Sequence, residues 1–322
     1  MYSKFKNRLL IAPYTIWMIG FIIIPILYVV YYGLTNEVGA FTFENVKSFF
    51  NPIHLKSFLK AFKLAFISTI ICIILAYPIA LIFRNSKTKS SSFIVYIFIL
   101  PMWMNGLLRI YAWLTLIEKK GVINLILTSL NLPNLNIVNT EIAIILGMVY
   151  DFLPFMILPL YNSLMKIKDD TLNGARDLGA NELQVFTRVI FPMSMPGMIS
   201  GITMVFIPAL TTVAISYMLG GGLYLLIGNV IEQEFLTTSN WNLGSGLSLV
   251  LVVFIFIVMG ITNNFTDKDE EINMVWLGNL LKIFILHWFY FLHMCQYLLW
   301  WLYLLIRQNQ ESTFLVFRLN GI

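Results

Sequence analysis

The side chains in this 322-residue chain that invite a chemical role are mostly acids and aromatic rings suited to holding a cation. Asp151 lies in the middle of an apolar run from about 141 to 163. A carboxylate there is costly to bury and is therefore a functional candidate. It either attracts an ammonium group or pairs internally with Arg109 of the preceding apolar run. Trp103, Tyr111 and Trp113 offer π faces, each worth about 0.5–2 kcal/mol to a cation seated over it. The same ring types also serve as core packing or as an interfacial belt. Glu118, Glu232 and Glu234 lie between apolar runs. They would give a mouth an acidic field, although acidic surface loops are commonplace.

Other chemistries find no footing. The sequence contains no G-x-x-x-x-G-K-[ST] phosphate cradle, so the chain is not expected to be its own nucleotide motor. No His/Cys cluster or Ser/His/Asp set stands in a catalytic context, which argues against an enzyme. Cys72 and Cys295 both sit in apolar runs and make no disulfide framework. No metal or cofactor is expected on this chain.

The elements that must position these residues are membrane spans. Hydrophobic residues make up 59% of the chain and charged residues 11%, against about a quarter charged in soluble domains. Mean hydropathy is +0.81. The formal charge of +5 sits beside apolar runs, which reads as a topology signal rather than a nucleic-acid footprint. An all-α integral membrane protein follows, with six spans expected at about 9–34, 61–83, 93–117, 141–163, 197–219 and 245–263. Each is near the ~20 residues that a bilayer core requires. Pro25, Pro78, Pro101, Pro154 and Pro208 lie within them, and bundled helices tolerate such prolines.

Charge bias orients the bundle. Lys4, Lys6 and Arg8 precede the first span, and Arg84, Lys87 and Lys89 follow the second. Lys166, Lys168, Arg176 and Arg188 follow the fourth. The positive-inside rule places these three stretches and the N-terminus in the cytoplasm. The loops between them are read as an outer, neutral or acidic side, and no Lys or Arg occurs between Arg188 and Lys268.

One long stretch, Asp169 to Gly201, is charged and amphipathic. Leu172, Ala175 and Leu178 share helical spacing after an Asp169-Asp170-Thr171 start, and Gly179 is a stop signal. Asn181 is placed to cap a second short helix with Leu183, Phe186 and Ile190 on one face, ended by Pro192. Two helices bent at a glycine make a docking element spanning 166–196.

The run ARDLGANELQVFTRVIFPMSMPG resembles the cytoplasmic EAA loop of membrane subunits of bacterial ABC importers. That pattern reads E-A-A, three residues, Gly, nine residues, then I-x-L-P. Ala175 takes its third position, Gly179 the glycine, Val189 the Ile, Phe191 the Leu and Pro192 the proline. Asn173 replaces the leading Glu and Gly174 the first Ala. Asn can hydrogen-bond but brings no charge, and Gly174 costs helix propensity of about 1 kcal/mol relative to Ala. Arg176 and Asp177 fall inside the same run. PMWMNGLLRIYAWLTL (101–116) and YDFLPFMILPLYNSL (150–164) are further similar to a permease subunit of spermidine/putrescine importers, over about residues 8–275. Importers of other organic cations share parts of this pattern.

The resemblance implies a permease core with a helix-turn-helix coupling loop in the bacterial plasma membrane. It also implies a different second permease subunit, a pair of ATPase subunits carrying ATP and Mg, and an extracytoplasmic substrate-binding protein. Membrane lipid is the remaining partner; nucleic acid is not one. Two readings from other classes stay open. An ion-coupled secondary transporter would show broken helices in matched halves and coupling residues at the midplane, and a membrane scaffold would dock without transport.

The rest reads as structure. Gly197 and Gly201 form a GxxxG for close helix contact, and Gly220-Gly221-Gly222 is a turn. Residues 275–322 form an atypical hydrophobic tail, either a seventh span or an out-of-frame extension, and its His287, His293 and Cys295 are read as an apolar run rather than a metal site.

Overall fold

A computed structural model describes residues 17–85 and 100–263. The expectations for Lys4, Lys6 and Arg8, for 9–16, for Lys87 and Lys89, for 93–99 and for the 275–322 tail fall outside them.

The described chain is helical. A π-helical turn Ile19–Ile23 leads into α1 (Ile24–Gly33), and a short α2 (Glu44–Lys47) follows. Next come α3 (Pro52–Asn85), α4 (Gly106–Ile117), α5 (Val122–Ser129) and α6 (Glu141–Met165). The loop helices are α7 (Asp169–Asp177) and α8 (Glu182–Val185), and α9 (Phe191–Thr211) follows them. The chain continues with α10 (Ala214–Gly220), α11 (Ile227–Leu236) and α12 (Trp241–Asn263). Among these residues four helices are long and apolar enough to cross a membrane, Pro52–Asn85, Glu141–Met165, Glu182–Thr211 and Trp241–Thr262, beside the shorter apolar Ile19–Gly33.

The core is a three-helix unit in which α6 packs against α3 on one side and α9 on the other, while α3 and α9 also touch. α3 and α6 run parallel: Ser68 meets Met148 near their middles, and Arg84 meets Leu164 at their ends. α9 runs antiparallel to both, since Tyr77 meets Ser194 and Phe62 meets Phe206. Small residues permit this closeness. A Cβ on Gly197 would lie 2.5 Å from the Pro159 carbonyl oxygen, and one on Gly201 would lie 2.6 Å from Met156 Sδ. The GxxxG is thus a helix–helix contact, as its spacing suggests. α1 lies along α12, and α11 packs against α12 and α3.

Four expectations need correction. The span set at 61–83 starts at Pro52, because Lys56, Lys60 and Lys63 sit on a helix that overshoots the apolar stretch. These lysines also show that the end of the bundle holding the start of α3 is not uniformly neutral or acidic. The span set at 93–117 is not one helix in its described part: a 3-10 turn at Leu100–Trp103 gives way to α4, which Asn105 restarts by accepting the Leu107 N–H at 2.9 Å. The span set at 197–219 breaks at Thr212–Val213 between α9 and α10. Buried Asn229 ties that break to the start of α11, donating from Nδ2 to the Val213 carbonyl at 3.2 Å while its Oδ1 accepts from Leu226 N at 3.2 Å. The fourth correction concerns Pro192, which does not end a helix. The backbone widens into a π turn at Phe186–Ile190, with Phe191 N bonding Phe186 O, and helix continues into α9. The wider turn takes up the lost proline donor.

Candidate functional site

Two places in the fold concentrate charge or exposed apolar surface. The first is within the bundle. Arg109 on α4 and Asp151 near the middle of α6 approach to 2.9 Å, Nη2 to Oδ1, with side chains only 11% and 16% exposed. The contact is off the hydrogen-bond direction: Asp151 Oδ1 and Arg109 Nε are buried without a hydrogen-bond partner among the described residues. Both charges are held at contact distance, yet neither is fully satisfied. A buried pair in that condition is costly unless further donors reach it.

The sequence candidates around this pair divide. Trp113 stands edge-on to Tyr150, ring centres 5.1 Å apart, and both line an apolar cavity of about 440 Å³ with Ile71, Leu146 and Leu153. Trp113 on α4 therefore packs on Tyr150, the residue that precedes Asp151 on α6. Trp103 and Tyr111 are well exposed; Tyr111 is two positions from Arg109, which turns it to the far side of α4. Glu118 caps α4, while Glu232 and Glu234 ride on α11, where Glu234 Oε2 accepts from Thr238 Oγ1 at 2.8 Å. These three acids stand on elements other than the one that holds Asp151.

Charge reasoning missed a second polar group. Glu141, at the start of α6, takes Lys63 at 2.8 Å and Lys60 at 4.0 Å, and Lys60 Nζ also sits 4.3 Å above the Tyr224 ring. The larger cavity, about 850 Å³, was likewise unforeseen: Tyr28, Tyr32, Glu37, Phe235 and Trp241 line it between α1, α11 and α12. The aromatic and acidic residue types were visible, but bringing positions 28 and 241 together requires the tertiary fold.

The second place is the loop after α6. α7 ends in a Schellman motif, with Gly179 N bonding Arg176 O at 2.8 Å, Ala180 N bonding Ala175 O at 3.1 Å and Gly179 at φ +85°. Asn181 then opens α8 with a capping box: its side chain accepts Gln184 N and its backbone N–H donates to Gln184 Oε1, both at 2.9 Å. Across the bend Arg176 grips Glu182 with two bonds, Nε–Oε1 2.8 Å and Nη2–Oε2 3.1 Å. The Glu182 hydrogen bond, reinforced by its charge, raises the Arg176 pKa above its ordinary value. Asn173 Oδ1 accepts from Arg176 Nη1 at 3.2 Å. A Schellman motif, a capping box and an exposed ion pair together give this turn a defined bend.

Its faces differ from the simple periodic reading. Leu172 and Val185 are buried, and Ala175, Phe186, Val189 and Ile190 pack against the core. Leu178 and Leu183, placed by spacing on the same faces as these residues, are 90% and 70% exposed. Asn173, Gly174 and Asp177 are exposed as well. Phe191 and Pro192 are also exposed where α9 begins.

Comparison with known proteins gives consistent matches. Residues 66–268 match the family described as binding-protein-dependent transport system inner membrane component. The chain is 37% identical over 265 residues to the spermidine/putrescine transport system permease protein PotB of Haemophilus influenzae, covering 80% of this chain and 92% of that one. It is 35% identical over 253 residues to the PotB protein of Escherichia coli K12, covering 76% and 90%. In fold it is similar to a chain of a bacterial alginate ABC transporter in complex with alginate pentasaccharide-bound periplasmic protein, with TM-score 0.70 and 15% identity over 84% of this chain and 96% of that one.

Proposed function

We propose a function from the premise that this chain belongs to the binding-protein-dependent transport system inner membrane components: it is the multi-pass permease subunit of an ATP-driven importer whose substrate is a polyamine such as spermidine or putrescine. The polyamine assignment rests on likeness to the PotB proteins. The chain is a transport subunit, and ATP hydrolysis belongs to a partner.

The observation that carries the mechanism is the loop from α7 to α8. It has a defined bend, is rooted in the core through Leu172, Val185, Phe186 and Val189, and leaves Leu178 and Leu183 exposed. Exposed leucines on a turn so anchored are suited to a partner's groove. An ATPase pair seated on 172–190 would move that turn and, through the helix continuing from α8 into α9, rock the bundle between two states. A second, different permease subunit completes the path, and an external binding protein delivers substrate. By the charge bias, the loop and the N-terminus face the cytoplasm.

Within the path, Asp151 is the acid proposed to meet the cation. Its buried Oδ1 has an unused acceptor direction, so a passing ammonium could donate to it while Arg109 limits how tightly it is held. Trp113, near this acid, supplies a π face; Trp103, Tyr111, Glu118, Glu232 and Glu234 would act farther along or at the mouth. Co-purification tests the assembly. An ATPase subunit should isolate with the chain from native membranes, and deleting 172–190 should abolish that association; an intact association after the deletion would contradict it.

A further inference from the structure

The reading of Arg84 as a topology-setting charge leaves most of its structure unexplained. Its side chain is only 8% exposed, and its fork reaches three places at once. From the last turn of α3, Nε donates to the Leu164 carbonyl at 3.1 Å, and Nη2 donates to the Ile167 carbonyl at 2.9 Å and to Asp169 Oδ1 at 3.0 Å. Nη1 adds a longer contact to Asn85 Oδ1 at 3.4 Å. Leu164 belongs to the last turn of α6, Ile167 to the linker and Asp169 to the first residue of α7.

The chemistry of each contact fits. Carbonyls at a helix C-terminus carry the negative end of the helix dipole, so a cation is favoured there, and the Leu164 carbonyl, which also accepts Ile167 N at 3.2 Å, has a second lone pair for it. A planar guanidinium with five donors can serve several acceptors in fixed directions, which a lysine ammonium on a flexible stem cannot copy. Asp169, 84% exposed, contributes the weakest arm, because water screens it. The grip is therefore mainly on the backbone of 164–167.

Only Lys166, Ile167 and Lys168 separate α6 from α7. The loop already reaches α9 through α8, and Ile167 of the linker is buried; what this three-residue linker lacks without Arg84 is a directional tether to α3, so that a push on α7 reaches α3 as well. We propose that Arg84 is a positioning residue for coupling: it locks the α6–α7 linker to the end of α3, so that motion of the loop moves α3 and α6 together. α3 and α6 are parallel and packed along their length, so one fork at their common end suffices to bind the loop to both. The proposal rests on the permease reading above.

The test uses the complete importer, with both permease subunits, the ATPase pair and the binding protein, reconstituted in proteoliposomes. Radiolabelled spermidine imported is measured per ATP hydrolysed, alongside ATPase subunit retained. Arg84→Met should retain the ATPase subunit but lower spermidine per ATP at least fivefold, and Arg84→Lys, which keeps one donor centre, should recover part of it. An unchanged ratio in Arg84→Met, or Arg84→Lys no better than Arg84→Met, overturns the proposal. Should Arg84→Met fail to accumulate, Arg84→Lys is compared with the unaltered chain instead; a drop of about twofold in the ratio supports the lock and an unchanged ratio overturns it. Absence of ATP-dependent import by the unaltered complex would instead strike the permease reading.

Discussion

Gly179→Val should unseat the coupling loop by strain in the backbone alone. Gly179 holds φ +85°, and nothing lies within 4 Å of a Cβ built on it. Collision therefore contributes nothing, and the cost is that of an L side chain in left-handed backbone, about 1–2 kcal/mol. That corresponds to a fall of about 5- to 30-fold in the population of the bent loop. Gly174 is the control. It lies inside α7 with equally open surroundings, and Gly174→Ala should instead favour the helix by about 1 kcal/mol. The EAA pattern itself places Ala there, so a partner's surface should accept it. Two glycines five residues apart thus carry opposite signs. The assay is titration of the purified ATPase subunit onto membranes bearing each variant, with chain abundance held equal. Weaker binding is expected for Gly179→Val and equal or tighter binding for Gly174→Ala. Wild-type assembly and uptake in Gly179→Val would refute the two-helix account of this loop.

Three further outcomes are expected. Asp151→Asn strands the buried Arg109 charge, so abundance should fall in line with the ~3–5 kcal/mol cost of breaking such a pair; the Arg109→Met, Asp151→Leu double variant should recover abundance but not spermidine uptake, and full uptake would remove the acid from the path. Gly197→Leu should destabilise the α6–α9 contact by at least the ~1–3 kcal/mol of overpacking, because its Cβ alone would lie 2.5 Å from the Pro159 carbonyl oxygen; thermal unfolding in detergent reads this, and an unshifted midpoint would contradict the packing. Asn173→Glu adds a carboxylate beside Arg176 on an exposed face, so ATPase association should hold or strengthen in the same titration, whereas clear weakening would count against Asn173 as a contact position.

Much of this was legible in the sequence because the signals are local. Gly179 as a stop and Asn181 as a cap depend on residues within three or four positions, and both stand in the fold. The facing of Leu178 and Leu183 was not legible. Spacing groups residues on one face but does not say whether that face is covered, and Leu178 at the C-cap of α7 and Leu183 in the first turn of α8 are left uncovered. Pro192 misled as well: a π turn just before it removes the need for the missing donor. The break after Thr211 is tied to Asn229, which is eighteen positions away and visible only once α11 is folded back. Arg84 shows the limit best. As a charge it carried an orientation, but its three acceptors lie eighty or more residues later. Asp151 and Arg109 could be offered as partners, since each stands near the centre of an apolar run, but their distance and their incomplete hydrogen bonding come from the fold.

The central claim is that this chain moves substrate only as a passive path worked by an external motor. Uptake of radiolabelled spermidine into proteoliposomes tests it most directly, comparing the chain alone with the chain plus its second permease subunit, ATPase pair and spermidine-loaded binding protein. Uptake is expected only in the complete assembly and only with ATP inside reach of the ATPase subunits. Spermidine accumulation by the chain alone, driven by an ion gradient and indifferent to ATP, would contradict the account.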